Sequence, residues 1–499
     1  MWIEAKSDLH TNCEVLIIGS GPGGAFAALT LAEAGLDVVL LEKGQALTPK
    51  RMPKNLSDAV QKHYAESAFR TSTGNPPSPI AGGEGLGGGT LVNSALCFST
   101  PETSLAHWNE LSDGAFEDSD FFYQVQNQVR QVMHVAQTPD ALLSGNDWIH
   151  KKAAQKLGWK EENIWRNTPK CVGCARCNLG CPSQGKYSVD LGILPRAALA
   201  GARIYTGCHI DMIASNKAQS ASAIGVVQNA QKDILGSIQI QAKYIIVASG
   251  AIGTPELLLK SGFHHQNPHI GQGLHIQPVI STWGVMPHPI PTYGATQGHF
   301  IDEFVQENIL LESNPIIAGA FFQSFPIFGM EAKTLMRQGT HFISTGSLIR
   351  DTSEGQIQHP KNGSSQIQYS LNDLDRKRLI KGLKIAAKLY FEGSEVQKLC
   401  PSIFGTQWCH NMNDIQQLLP DDLDANRLTV YASHPQASCR IGRACDHNGR
   451  LKGSDNIFVM DSSVLPSNVG RNPQISIMTV SRILALRLLE KLGLSCPDL

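Results

Sequence analysis

Apolar residues mark out the first elements of the chain. Val15, Leu16, Ile17 and Ile18 make a short apolar run that reads as a strand, and Val38 to Leu41 make a second, closed by Glu42. Between them Gly19-Ser20-Gly21-Pro22-Gly23-Gly24 reads as a tight turn, and Ala25 to Ala34, rich in Ala and Leu, as a helix ended by Gly35. Glu14 to Gly44 is therefore strand, Gly turn, helix, strand. Helical spacing returns over Asp118 to Val135 and Asn146 to Leu157. Residues 202 to 250 predict strands in ARIYT, AIGVV, SIQIQ and YIIVA, leading into a short helix from Thr254 to Lys260. Farther on, His341 to Leu348 and Gln366 to Tyr369 are strand-like and Asp373 to Phe391 is helical. Asn456 to Met460 reads as a strand and Gln474 to Leu489 as a helix, and no internal repeat interrupts the order.

Composition narrows the class. The 499 residues allow several domains with a large core. Lys and Arg number 42 against 43 Asp and Glu, a formal charge of −1, so a general nucleic-acid-binding surface is not indicated. The longest apolar stretch, Ala25 to Leu41, is broken by Glu33 and Asp37, so no transmembrane segment is expected. The opening MWIEAKSDLHTNCEV has no cationic segment before an apolar one, which argues against Sec export. The expected location is cytoplasmic, with peripheral contact at the inner membrane face left open. In that compartment the 12 cysteines would be ligands or buried thiols rather than a disulfide framework.

The first chemical motif is Gly19-x-Gly21-x-x-Gly24, between strand and helix, with Glu42 at the end of the next strand. Gly19 permits the turn, Gly21 lets backbone approach a pyrophosphate, and Gly24 lets helix and strand pack closely. The helix start offers free N–H groups to phosphate. Glu42 would accept hydrogen bonds from adenosine ribose hydroxyls and would repel a 2′-phosphate, which disfavours NADP. The fingerprint does not separate FAD from NAD.

Later segments make that separation. Gly87-Gly88-Gly89-Thr90-Leu91-Val92-Asn93 resembles the flavin loop of the glucose-methanol-choline (GMC) family of FAD-dependent oxidoreductases, with His107-Trp108 following it. Gly250 to Gly262 resembles a family signature almost residue for residue. His434-Pro435 with Cys439-Arg440-Ile441-Gly442, then Asp461-Ser462-Ser463-Val464-Leu465-Pro466 and Asn472-Pro473, complete the C-terminal pattern. The matches stand in family order from residue 14 to about 490. There are two departures: Gln277-Pro278 replaces the usual His-Pro, and Ala437-Ser438 replaces Gly-Thr.

The resemblance implies an α/β fold with a discontinuous Rossmann-type FAD-binding domain and a sheet-based α+β substrate domain. The implied FAD-binding domain takes 1–100, 192–280 and 428–499, and the substrate domain 101–191 and 281–427. Gly19, Gly21, Gly24 and Glu42 would hold the dinucleotide. Gly87, Gly88, Thr90 and Asn93 would hold the ring, Ile210 the adenine, Asp461 and Ser462 the phosphate and ribityl region, and Asn472-Pro473 the ring edge. His434 would take the hydroxyl proton of an alcohol while its carbon gives hydride to flavin N5, and Asn472 would orient the oxygen. An imidazole suits this because its ordinary pKa, about 6.5, lies near working pH.

Cys171-x2-Cys174-x2-Cys177-x3-Cys181-Pro182 has the spacing of bacterial ferredoxins. An Fe–S cluster, with a fourth ligand from Cys181 or a distant thiol such as Cys208, or a zinc ion, is one reading. A structural hairpin of thiols and a redox-active disulfide are the others. Similar runs, followed as here by Gly185-Lys186, occur in a family subset resembling long-chain alcohol oxidases and cholesterol oxidases. That implies an apolar, long-chain or sterol-like alcohol, for which residues 315–330 offer an apolar lining. The electron acceptor, O2, a quinone or a carrier protein, is left open. A flavin lyase or photoenzyme, or a non-catalytic flavin electron-transfer protein, are the alternatives on the same fold.

Overall fold

A computed structural model describes residues 2–216, 220–314, 327, 329–337, 339–358 and 366–497. Its larger sheet runs in the order Ile3–Glu4, Arg203–Thr206, Val38–Glu42, Leu9–Ile18, Ile234–Val247, Ser220–Gln228, Cys208–Asn216, with Ile457–Val459 beside the end of Ile234–Val247. The first five strands and Ile457–Val459 are parallel, whereas Ser220–Gln228 and Cys208–Asn216 fold back antiparallel. Val15 to Ile17 and Val38 to Leu40 are fully buried, which is why these strands carry unbroken apolar runs instead of alternation. SIQIQ and YIIVA prove to be one continuous strand, Ile234–Val247, because its partner Leu9–Ile18 pairs with it from Leu9 to Ile18 without a break.

The first helix is Pro22–Glu33, starting three residues before the apolar run, since proline at its first position already has helical φ and needs no N–H partner. It is buried from Gly23 to Ala32, caught between the sheet and the last helix, Gln474–Lys491. Ser481 of that last helix donates to the carbonyl of Gly23 at 2.6 Å, which fixes the two helices where the Gly turn ends.

A second, antiparallel sheet runs Lys398–Pro401, Val279–Val285, Phe342–Ile349, Ile309–Ser313, His299–Ile301, Glu161–Asn163. The helix Asp373–Gly393 covers one face, packing Leu379, Ile380 and Leu383 against Ile280, Ile309 and Ile343. Asn372 caps this helix by accepting from the N–H of Asp375 at 2.8 Å. Residues 315–326 and 328 of the expected apolar lining lie outside the described residues. Among the described residues no helix is long and apolar enough to cross a membrane.

Candidate active site

The Gly turn is built by close backbone approach. Gly19 has φ +107°, and a Cβ there would stand 2.3 Å from the carbonyl oxygen of Ala248 on the neighbouring strand. A Cβ on Gly24 would stand 2.0 Å from the carbonyl oxygen of Gly19. Beside Gly21 and Gly89 nothing would meet a Cβ within 4 Å, so open space borders the backbone at both loops. Gly21 caps the first helix without any side-chain acceptor, and its first turn holds no acidic residue, which leaves its N–H groups available to an anion.

The other expected cofactor residues converge on this turn. Gly88 abuts Gly21, since a Cβ on it would lie 2.9 Å from the Gly21 Cα, and the N–H of Gly87 donates to Ser20 Oγ at 2.9 Å. Ser20 Oγ donates in turn to Glu42 Oε2 at 2.5 Å, and the N–H of Gly44 donates to Glu42 Oε1 at 2.8 Å. Burial pushes the Glu42 carboxyl up from its ordinary range against these hydrogen bonds. Gly207, just before Cys208–Asn216, donates to the Gly44 carbonyl at 3.4 Å, which brings the start of the strand carrying Ile210 near the end of Val38–Glu42. On the far side of the turn a Cβ on Gly23 would meet Met460 and Asp461. The Asp461 carboxylate accepts from the N–H of Gly250 at 2.8 Å and from Thr254, and Ser462 Oγ accepts from the N–H of Ala251 at 3.1 Å. Both side chains are thus engaged at the start of the helix Gly250–Lys260, which leaves backbone to face the groove. Thr90 Oγ1 donates to the Gly87 carbonyl at 2.7 Å and holds the flavin loop in its turn. Asn93 spends both ends of its amide internally, on Gln474 at 2.5 Å and on the N–H of Ala95 at 3.1 Å. The glycine spacing, the open space and the uncapped helix start fit a dinucleotide cofactor.

His434 and Asn472, 38 residues apart, meet with Nε2 and Nδ2 separated by 3.4 Å. Both residues are half-buried, yet His434 Nδ1 and Asn472 Oδ1 are enclosed and have no hydrogen-bond partner among the described residues. Desolvation pushes the imidazole down to about 4, so it is neutral and able to accept a proton at neutral pH. Two connections hold the pair. Gln436 donates to the His434 carbonyl at 3.0 Å and accepts from the N–H of Val469 at 3.1 Å. Asp351, 3.5 Å from His275, accepts from Tyr369 and Asn468, and Asn468 accepts from the N–H of Gly470 at 2.5 Å, one residue before Arg471-Asn472. Pro473 caps the last helix, so the backbone turns into that helix right after Asn472.

Glu312, from the second sheet, was missed by the motif reading. It is buried on Ile309–Ser313 and faces the Asn472 amide, Arg471 and, at 3.4 Å, Gln297 Nε2. Desolvation pushes its carboxyl up to about 7 against those partners. Among the described residues its Oε1 has no partner, nor does Arg471 Nη1, while another Arg471 nitrogen pairs with Asp302. A lone carboxylate in the apolar strand Ile-Leu-Leu-Glu-Ser is costly to bury, and that was the available signal. The two departures from the family pattern also have a structural meaning. Ala437 has φ +70°, a conformation that favours glycine, and Gln277 has φ +52° with both buried amide atoms unpartnered.

The cysteine run is not assembled as a metal centre. Among the described residues no three His, Cys, Asp or Glu side chains are placed to hold a metal ion, and none of the twelve cysteines is in a disulfide. The thiols point to separate partners: Cys171 Sγ accepts from the N–H of Gly173 at 3.4 Å, Cys181 Sγ from the N–H of Lys186 at 3.3 Å, and Cys174 is exposed. Cys177 accepts from the Arg166 guanidinium at 3.2 Å; burial pushes its thiol up, but Arg166 and Lys186 outweigh this and hold it below its ordinary range. Cys208 lies buried in the other sheet with its Sγ toward the Thr206 carbonyl, so it is not a fourth ligand. Of the three readings of the run, the metal site is therefore not assembled among the described residues, and the disulfide is not formed.

Comparison with known proteins accords with this geometry. Residues 60–279 and 351–481 match the GMC oxidoreductase family, and residues 12–54 match the FAD binding domain family. The chain belongs to the GMC oxidoreductase family. This GMC protein is an FAD-dependent oxidoreductase. It is 29% identical over 491 residues to an uncharacterized GMC-type oxidoreductase of Mycobacterium tuberculosis (strain ATCC 25618 / H37Rv), covering 97% of this chain and 77% of that one. It is also 29% identical over 532 residues to a long-chain-alcohol oxidase of Arabidopsis thaliana, covering 98% and 69%. Among solved structures, pyridoxine 4-oxidase from Mesorbium loti superposes with a TM-score of 0.71 at 18% identity, covering 96% of this chain and 99% of that one. The formate oxidase of Aspergillus oryzae gives 0.70 at 14%, covering 96% and 98%, so the fold of this GMC protein is shared well beyond recognisable sequence.

Proposed function

We propose that this GMC protein oxidises an alcohol at the carbon bearing the hydroxyl, with His434 as the base. The observation that carries the reading is the pair His434 and Asn472, 3.4 Å apart, each with an enclosed polar atom that has no partner among the described residues. FAD, when bound, supplies the acceptor for the hydride. His434 Nε2 takes the hydroxyl proton, and Asn472, whose amide cannot act as a base, orients the alcohol oxygen. Gln436 fixes the imidazole through the His434 carbonyl, and Glu312 restrains the Asn472 amide from the second sheet. The cofactor would be held by the turn at Gly19, Gly21 and Gly24, by Glu42 and Ile210 on the adenosine side, by the loop from Gly87 to Asn93, and by backbone at Asp461 and Ser462.

The proposed substrate class is an apolar, long-chain alcohol, supported by the likeness to the Arabidopsis long-chain-alcohol oxidase. The reacting end would meet polar groups, His434, Asn472 and Glu312, while the rest of the molecule needs an apolar channel. Anaerobic titration of the FAD-loaded protein with alcohols of increasing chain length tests both parts. The flavin absorbance is expected to bleach, more readily with longer chains. A flavin that stays oxidised with every alcohol would overturn the reading and favour a lyase or electron-transfer role.

A further inference from the structure

The cysteine run lies against the flavin loop, and its contacts there follow a pattern. Lys186 is buried, and its ammonium group donates to the carbonyls of Leu91 at 2.8 Å, Asn93 at 3.1 Å and Cys177 at 3.0 Å. All three of its protons are thereby used. Asn178 Nδ2 donates to the carbonyl of Val92 at 2.9 Å and to Ser94 Oγ at 3.2 Å. Arg166, also buried, places Nε and Nη2 on the carbonyl of Ser94 at 3.1 and 3.0 Å, and the same Nη2 reaches Cys177 Sγ. Four successive carbonyls, Leu91, Val92, Asn93 and Ser94, are thus each held by a side chain from the segment 166–186.

We infer that this segment is a clamp that sets the conformation of the flavin loop, with Lys186 and Asn178 as its positioning residues. A loop rich in glycine has many conformations to lose on binding a cofactor. Hydrogen bonds from a buried ammonium to its carbonyls are strong and directional, and they remove that freedom before the cofactor arrives. Cys177 completes the clamp by bonding both cations, through its carbonyl to Lys186 and its sulfur to Arg166. The chemistry of the run is then that of an anchor, and the tightness of FAD binding depends on residues that lie in sequence about ninety positions from the loop. The consequence for FAD rests on the reading that residues 87–93 seat the flavin.

Hydrogen exchange of the holoenzyme, with FAD release measured on the same samples, tests this. Lys186→Met is expected to speed exchange of residues 87–94 and release of FAD by at least about tenfold, with exchange in Pro22–Glu33 and Ile309–Ser313 unchanged. Asn178→Ala, at a half-buried site, is expected to do the same by about threefold and decides the matter if Lys186→Met does not fold. Unchanged exchange at 87–94 in a folded variant overturns the clamp. Faster exchange there with unchanged FAD release upholds the clamp and overturns the reading of the loop as the flavin seat.

Discussion

The proposed cofactor groove and the proposed alcohol end of the site are built from different parts of the polypeptide. The groove is made of backbone: the turn at Gly19 to Gly24, the loop at Gly87 to Gly89 and the chain at Met460-Asp461 approach one another where side chains have been removed. The alcohol end is made of side chains, His434, Asn472 and Glu312, delivered by three separate segments. At Gly19, Gly23, Gly24 and Gly88 the backbone leaves no room for an added carbon, whereas the side-chain region depends on charge and proton position.

His434→Ala should strike hardest at the side-chain region, lowering the rate of anaerobic flavin reduction by about 10² to 10⁴ while FAD stays bound. Loss of FAD from that variant would erase the distinction between the two regions. Next, Gly24→Ala should do the reverse. Its Cβ, 2.0 Å from a backbone oxygen, should cost about 1–3 kcal/mol or more and release FAD, measured by thermal unfolding and by flavin retained after gel filtration.

The carboxyl of Glu312, raised to about 7 by burial, should add pH dependence on the alcohol side only. The folded chain holds this proton more tightly than the unfolded one, so the contribution of Glu312 to stability is full below about 4.5 and is lost as pH rises through about 7. The loss amounts to roughly 3 kcal/mol in the FAD-free protein. In denaturant unfolding of Glu312→Gln this downward contribution should vanish, while the opposite slope from His434, whose lowered pKa makes stability fall as pH drops from about 6.5 to about 4, is common to both proteins; a difference between wild type and variant that does not change with pH would assign the slope to another group. His434, lowered to about 4, should by contrast keep kcat/KM level as pH falls from 7 to about 5, with the loss only near 4, where the imidazole takes up a proton. An acid limb near 6.5 would show that the imidazole is not desolvated in the working enzyme. The smallest effect is expected at Ala437→Gly, which relieves a φ of +70° and should stabilise by about 0.5–1 kcal/mol in the same unfolding assay.

The same contrast explains what could be read from residues alone. Glycine at Gly19, Gly21 and Gly24 is demanded locally, so the fingerprint survives as spacing, and the strand, turn and helix around it were legible within a few residues. His434 and Asn472 were found through family blocks, not through any pattern of their own. Glu312 was not found, because its role comes from Arg471 and Asn472 on another segment, 159 residues or more away. The cysteine run suggested a metal by its spacing, but spacing does not say where thiols point. Folding set Arg166 and Lys186 beside Cys177, and among the described residues the thiols are not brought together as a metal centre.

Residue order by itself determined the buried strands at Val15 to Ile18 and Val38 to Leu41, since burial on both faces of a parallel sheet demands unbroken apolar runs, and the Gly turn, since only glycine allows that approach of backbone. Tertiary structure alone decided the pairing of His434 with Asn472, the pKa of Glu312 and the use of the cysteine run as an anchor on the flavin loop. Those depend on desolvation and on contacts between distant segments, and neither quantity exists until the chain has closed around them.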